Sequence, residues 1–367
     1  MEMRIGLLGP ISPPYDYTVR IIKRIEEYGY DSAWWPDHWM GWTPDSIWTQ
    51  DIFEVSTVLP NPHIFYDVFS VIGFASALTS KIQLGTAVTE AVRRHPAELA
   101  QASLTLHHLS KGRFILGLGT GEGENIIPYG LEWKNPVGRL KEAIILIRLF
   151  WSGKKFDYDG KFWKIKDAVM GLPSYEGKYP PIWVGAHREK MLKLVGELCD
   201  GWIPVPTTPA DYAEGFKVIR DAAKKAGRNP DEIVGSAYIP TIADEDHDEC
   251  HRIFNSTAGK SYTVLAPPEM YKRFGYEHPL GFYAFKDYIP TRYGREEILQ
   301  AIRKVPDELG EHYYLHGNSE DIIKKLEEYG RAGLQHAVIW NLTPVFDYKK
   351  TRSSFEVIRK VAEYFKK

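Results

Sequence analysis

Short apolar runs alternate along the chain with longer stretches whose apolar positions recur at helical spacing. Residues 3–8, 32–36, 82–88, 113–119, 182–186, 201–205, 233–241 and 336–342 read as strands. They lack period-two alternation, as strands covered on both faces do. Between them the spacing predicts helices over 17–28, 68–78, 96–107, 137–151, 188–198, 210–226 and 320–332, with another at 295–304 ahead of the last unit. Ser319 reads as the N-cap of helix 320–332. Gly29, Gly227 and Gly333 each follow a predicted helix, where a left-handed residue closes the last turn. Strict strand–helix alternation over eight units predicts an α/β fold, a closed (β/α)8 TIM barrel spanning 1–367 as one domain. An open doubly wound sheet of six or seven strands is the alternative. Three segments exceed ordinary connections: 39–67, 153–179 and 244–310. Long ordered insertions are usually lids or binding loops, so they are expected at the C-terminal face of the strands.

Charge and cysteine usage narrow the class. The 367 residues carry 46 basic and 48 acidic side chains, well mixed, for a net charge of −2. No basic tract points to nucleic acid or an anionic membrane. No apolar run approaches the roughly 18 residues that span a bilayer. The opening segment reads as a strand rather than a secretory leader. Cys199 and Cys250 lie far apart without metal-ligand spacing, which fits a reducing, cytoplasmic setting. Aromatics make up 13% of the chain. They suit a pocket for a flat ring and suit a bulky core equally.

In a barrel of this kind chemistry sits just past the strand ends. Asp37-His38 puts an imidazole, the usual acid–base group near neutral pH, beside a carboxylate within a tryptophan-rich stretch. A capping aspartate next to a surface histidine is the other reading. Gly117-Leu118-Gly119-Thr120-Gly121-Glu122 is a glycine-rich turn after a strand. It fails the dinucleotide fingerprint, because Glu122 stands where a third glycine belongs, and it lacks the Lys of a P-loop. Its glycines let a flat ring approach the backbone. Glu122 then either projects into the site or complements a helix start. Gly185-Ala186, with His187 and Arg188 following, offers amide groups at a helix N-terminus, suited to an anion or to nothing beyond a turn. His107-His108 on a helix reads as structural. No zinc spacing and no nucleophile elbow is present, and no metal is expected.

Together these residues resemble the luciferase-like flavin barrel superfamily, in particular the branch that uses the deazaflavin coenzyme F420. Asp37-His38 with Trp42 is similar to the Asp-His-x-x-x-Trp motif of the F420-dependent secondary alcohol and glucose-6-phosphate dehydrogenases. Gly119-Thr120-Gly121-Glu122 with Asn125 is similar to their Gly-x-Gly-Glu-x-x-Asn turn. Leu84-Gly85-Thr86-Ala87-Val88 matches the strand that carries a non-prolyl cis peptide in that branch, here between Ala87 and Val88. Over nearly the full length the chain resembles phthiodiolone-type ketoreductases, through stretches such as 88–96, 128–133, 182–187 and 200–204. Trp42 departs from the ketoreductase pattern. Glu90 stands where the sugar-phosphate enzyme has Thr, and that enzyme's three basic residues have no convincing counterpart.

The resemblance implies a coenzyme F420-dependent oxidoreductase that moves a hydride between the reduced deazaflavin and a ketone or secondary alcohol. His38 would handle the proton on the substrate oxygen. Trp42 would wall that oxygen and hydrogen-bond it, and Glu122 would face the ring. Asp37, Ala87, Val88, Glu90, Asn125, Gly185, Ala186 and His187 would hold the cofactor. Two alternatives stand: an F420-dependent methylenetetrahydromethanopterin reductase acting on a pterin one-carbon carrier, and an FMN-dependent luciferase-like monooxygenase. The resemblance also implies a homodimer, for which the apolar helix 137–151 suits an interface or the core equally. The cofactor and the many Lys and Glu on helices lean towards an archaeal source.

Overall fold

Strand β1 (Arg4–Leu8) pairs in parallel on one side with β2 (Ser32–Trp35) and on the other with the last barrel strand, β8 (His336–Asn341). Between them run β3 (Gln83–Thr86), β4 (Phe114–Gly119), β5 (Ile182–Val184), β6 (Gly201–Trp202) and β7 (Val234–Ala243). Strand β7 pairs with β6 and with β8, so the sheet closes on itself. The computed structural model describes residues 2–206, 208–281 and 283–366. Each barrel strand is followed by a helix on the outside: α1 (Tyr15–Glu27), α2 (Val68–Leu78), α3 (Pro96–Leu109), α4 (Pro136–Trp151), α5 (Glu189–Leu198), α6 (Pro209–Lys225), α7 (Ser319–Arg331) and α8 (Thr351–Phe365). This is the expected (β/α)8 barrel.

The strands are continuous apolar runs because both faces are covered. Outward residues such as Ile5, Leu84, Leu116 and Ile339 pack on the helices. Inward residues fill the bore, where Trp34 and Trp183 stack at 5.1 Å with Ile115, Ile203, Tyr238 and Val338 around them. The helix ends follow local chemistry. The Asp67 side chain accepts from Ser70 N at the start of α2, and Thr208 accepts from Asp211 N at the start of α6. At α7 the cap is Asn318, not Ser319. Asn318 and Asp321 form a reciprocal capping box, which leaves Ser319 as the first helical residue. Helix α8 was not expected from the sequence. Its stripe of Val357, Ile358, Val361, Ala362 and Phe365 is buried, but no side chain caps its start. Helix α4 buries Leu140, Ile144, Ile147 and Trp151 within the chain, so its apolar face belongs to the core.

The three insertions divide into two kinds. Segments 39–67 and 244–310 follow β2 and β7 and rise above the C-terminal ends of the strands. They share a second core, in which Ile47 and Phe53 of the first meet Ile253, Phe254 and Ile298 of the second. Segment 153–179 differs from expectation. It links a helix, α4, to a strand, β5, and so starts from the opposite end of the barrel. Its antiparallel hairpin, Phe156–Asp159 with Lys164–Ala168, lies along the outside. The turn is held by the Glu142 carboxylate of α4, which accepts from Phe162 N at 2.9 Å.

The bore packing sets the first expected outcome. Trp34→Ala removes a fully buried ring that stacks on Trp183. It is expected to cost about 3–5 kcal/mol in urea unfolding. A loss below about 1 kcal/mol would show that the bore is not close-packed.

Candidate active site

The site begins where β2 ends. Asp37 is buried, and its carboxylate accepts from Thr89 Oγ1 at 2.6 Å and from Arg94 Nε at 2.8 Å, with Arg93 Nη2 at 3.3 Å. Burial alone would raise its pKa. The Arg94 hydrogen bonds, the two guanidinium charges and Thr89 outweigh burial and hold it below the usual carboxylate range. Arg93 also donates to the Asp37 carbonyl at 2.6 Å and to Glu90 Oε1 at 2.5 Å. The end of β2 is thereby tied to the segment after β3. In that segment the Ala87–Val88 peptide is cis, and Thr89–Glu90 then resumes pairing with β4.

The next residue, His38, is 9% exposed and held on several sides. The side-chain oxygen of Asn125 accepts from Trp39 N at 2.6 Å and Met40 N at 3.0 Å, which fixes the orientation of that amide. Its NH2 group therefore faces His38 Nδ1 at 2.9 Å. Nδ1 accepts, and in the neutral ring the proton sits on Nε2. Nε2 points at Glu122 Oε2, 3.5 Å away. The Met40 carbonyl, 3.1 Å from Nδ1, accepts when the ring is doubly protonated. Trp42 meets the imidazole edge-on at 4.9 Å, and Phe65 stacks on it at 5.3 Å.

Glu122 shares its corner with a second acid, Glu124. The Glu124 carboxyl is fully buried, receives Asn125 Nδ2 at 3.2 Å, and hydrogen-bonds Glu122 and the Trp42 indole. Burial first, and then the charge and hydrogen bond of Glu122, push its pKa well above the usual range. The raised pKa favours the neutral Glu124 carboxyl, the form that can donate to Glu122. The Trp42 N–H is turned towards Glu124, whereas the sequence suggested a substrate oxygen as its partner.

These groups line a cavity of about 250 Å³ over the C-terminal strand ends. It brings together Asp37, His38, Trp42, Ala87, Val88, Glu90, Glu122, Asn125, Gly185 and His187 of the expected residues. Ala186 does not join them; it is buried, and its carbonyl accepts from Trp202 Nε1 at 2.8 Å. The Gly185 N–H is bound to the Leu118 carbonyl at 3.0 Å, so it is not a free donor. One wall is backbone and small side chains. A Cβ on Gly119 would lie 2.6 Å from Val88 Cγ2, and Gly121 has φ +83°. The opposite side is aromatic and apolar, from Tyr238 and Trp340 of the barrel and Tyr262, Leu265, Met270 and Phe285 of the large insertion. Sequence reasoning missed Glu124, although it lies in the same turn as Glu122 and Asn125. It also missed the pairing of Arg93 and Arg94 with Asp37.

Residues 3–336 match the family of luciferase-like monooxygenases. The chain belongs to this family. It is 36% identical over 320 residues to the phthiodiolone/phenolphthiodiolone dimycocerosates ketoreductase of Mycobacterium bovis, covering 85% of this chain and 84% of that one. A solved F420-dependent tetrahydromethanopterin reductase from Methanopyrus kandleri superposes with a TM-score of 0.74 at 25% identity, covering 100% of both chains. An F420-dependent secondary alcohol dehydrogenase, solved with an F420–acetone adduct, shares the fold with a TM-score of 0.77 at 21% identity, covering 98% of both. These relatives are oxidoreductases, and this chain is an oxidoreductase of the same family.

The Glu122–Glu124 pair sets a pH test. An acid whose folded-state pKa is raised holds a proton that the unfolded chain releases. Its ionisation equilibrium therefore costs stability as pH rises above the unfolded value of about 4.3. Glu124→Gln keeps the donor and removes the titration. The variant is expected to gain stability relative to the parent between about pH 5 and about pH 8 in urea melts. A stability difference that stays constant across that range, or moves the other way, would mean that Glu124 is ionised in the fold.

Proposed function

We propose that the protein is a coenzyme F420-dependent oxidoreductase that interconverts an apolar ketone and its secondary alcohol. The observation that carries this reading is His38 at the strand end, its Nε2 proton aimed between Glu122 and the open cavity. The cavity suits a flat ring. Gly119, Gly121 and Gly185 leave the backbone bare on one wall, and the Ala87–Val88 segment bulges beneath it. When bound there, the reduced deazaflavin supplies a hydride to a carbonyl carbon.

The chain's own residues then manage the proton. His38 Nε2 donates to the substrate oxygen as negative charge develops on it. Asn125 keeps Nδ1 as the acceptor, so the proton stands on the reactive nitrogen. Glu122 faces the same nitrogen and stabilises the ring when it is charged, and Glu124 holds a further proton one hydrogen bond away. Leu265, Met270 and Phe285 exclude water and favour an apolar substrate. Among the described lining residues the one guanidinium is Arg93, already engaged by Asp37 and Glu90. That argues against a sugar phosphate. The aromatic side chains of the large insertion also favour a second reading, reduction of a pterin one-carbon carrier.

The experiment is equilibrium binding of coenzyme F420 and of FMN to ligand-free protein by fluorescence quenching, followed by turnover with secondary alcohols, ketones and the pterin carrier. Tight F420 binding, weak FMN binding and turnover of an apolar ketone are expected. His38→Ala is expected to lower turnover by about 10²–10⁴-fold with cofactor affinity retained. Tight binding of FMN alone would replace this reading with a monooxygenase, and undiminished turnover in His38→Ala would remove the histidine from the chemistry.

A further inference from the structure

Away from this cavity, three histidines meet at the neck of the large insertion. His247 and His251 lie one turn apart on the helix His247–Phe254, where the chain leaves β7. His316 lies on the short strand Leu315–Gly317, where the chain returns and pairs with the end of β7. One ring nitrogen of each lies within 4.8 Å of the others.

Hydrogen bonds and close contacts orient the three rings. His247 Nδ1 donates to Asp321 Oδ2 at 2.9 Å, and His251 Nδ1 lies 2.6 Å from Glu311 Oε1. His247 Nε2 is then a lone-pair acceptor, and it lies 2.9 Å from His251 Nε2. His316 repeats the pattern. Its Nδ1 donates to the Tyr314 carbonyl at 3.0 Å, and its Nε2 faces Glu311 Oε2 at 3.1 Å. Ring nitrogens of three histidines thus converge at the neck with a carboxylate beside them, and a cation bound by their lone pairs would satisfy all three at once. A carboxylate or carbonyl on the far nitrogen of each ligating histidine is the usual support of a metal site.

The spacing also fits. A zinc–nitrogen bond of about 2.0–2.1 Å, with tetrahedral angles, sets ligand ring centres about 5 Å apart. The three ring centres here are 4.8, 5.3 and 5.6 Å apart. We propose that His247, His251 and His316 form a structural site for a borderline divalent transition metal such as Zn²⁺, with a solvent molecule completing the coordination. The ion would clamp the two ends of the insertion whose middle walls the active-site cavity. Asp321 supports the site from the first turn of α7, where it also closes the capping box. The rings of His247 and His251 are 43% and 36% exposed, which leaves a route for the ion from solvent.

The test uses the full chain, stripped with a chelator and dialysed. Titration with Zn²⁺ is expected to give about one tight equivalent, and a saturating excess to raise the melting temperature by about 5 °C. Co²⁺ in its place is expected to give the strong visible absorption of a four-coordinate ion. His251→Gln and His316→Gln are each expected to abolish the Co²⁺ spectrum, and Asp321→Asn to weaken binding about 10–100-fold. Either histidine variant suffices if the other fails to fold. His38, Glu122 and Glu124 also bring ligand atoms close together, so His38→Gln is the control and is expected to keep its equivalent. No tight equivalent, or an equivalent lost in His38→Gln but kept in His251→Gln, would overturn the proposal and leave a histidine–carboxylate network that shares protons.

Discussion

The site depends on one buried ion pair, the Asp37 carboxylate against Arg94 and Arg93. Removing these charges from water carries a large penalty, which is offset only when every oxygen is satisfied. Here Thr89 and two guanidinium groups satisfy them. The geometry that achieves this also brings β2 and the segment after β3 to a fixed distance. His38, the next residue along the chain, inherits its position from that clamp. The same arginine that holds Asp37 also holds Glu90, which accepts from Arg93 N as well. The turn following the cis peptide is thus locked from both sides, and the flat wall of the cavity is set by buried electrostatics rather than by loop composition.

Most of the fold was legible because a barrel strand covered on both faces has an unmistakable pattern. All eight runs in the sequence became strands, since neither face tolerates a polar residue without a partner. Boundaries were less legible. Ser319 and Asn318 are both good capping residues, and only the return bond from Asp321 to the Asn318 N–H decides between them. Helix α8 has a clear apolar stripe but no capping side chain, so nothing local marked its start. The hairpin in 153–179 has only partly buried residues on one face, too weak a pattern for strands. The insertion it forms went to the other end of the barrel because connection type, helix to strand, decides which end a segment leaves.

The site was legible where chemistry depends on residue type and opaque where it depends on pairing. His38, Trp42, Glu122 and Asn125 reach one cavity, as the motif resemblance implied. Glu124 was hidden because a Gly-Glu-Gly-Glu pattern does not say which acid faces solvent. Glu122 keeps 25% of its side chain exposed while Glu124 has almost none, and burial is the first cause that pushes the Glu124 pKa up. Ala186 and the Gly185 amide were expected to face a ligand. The register of β4 against β5 instead spends the Gly185 N–H on Leu118.

The arrangement of charge adds to burial in raising the Glu124 pKa. Arg93 and Arg94 lie close by, but both are committed to Asp37, Glu90, Asp67 and Glu98. Neither guanidinium is therefore available to the adjacent carboxylates of Glu122 and Glu124, and burial with the charge of Glu122 pushes the Glu124 pKa up. In the proposed reaction, hydride arrival at a carbonyl carbon would create an alkoxide that must be protonated before the product leaves. On that reading His38 would meet the need once, and Glu124, hydrogen-bonded to Glu122 beside it, would be the next proton source. The apolar walls proposed to favour the substrate would also keep water out. Buried acidity and an apolar cavity thus follow from one arrangement, in which the clamp at Asp37 engages Arg93 and Arg94 and leaves the Glu122–Glu124 pair without them.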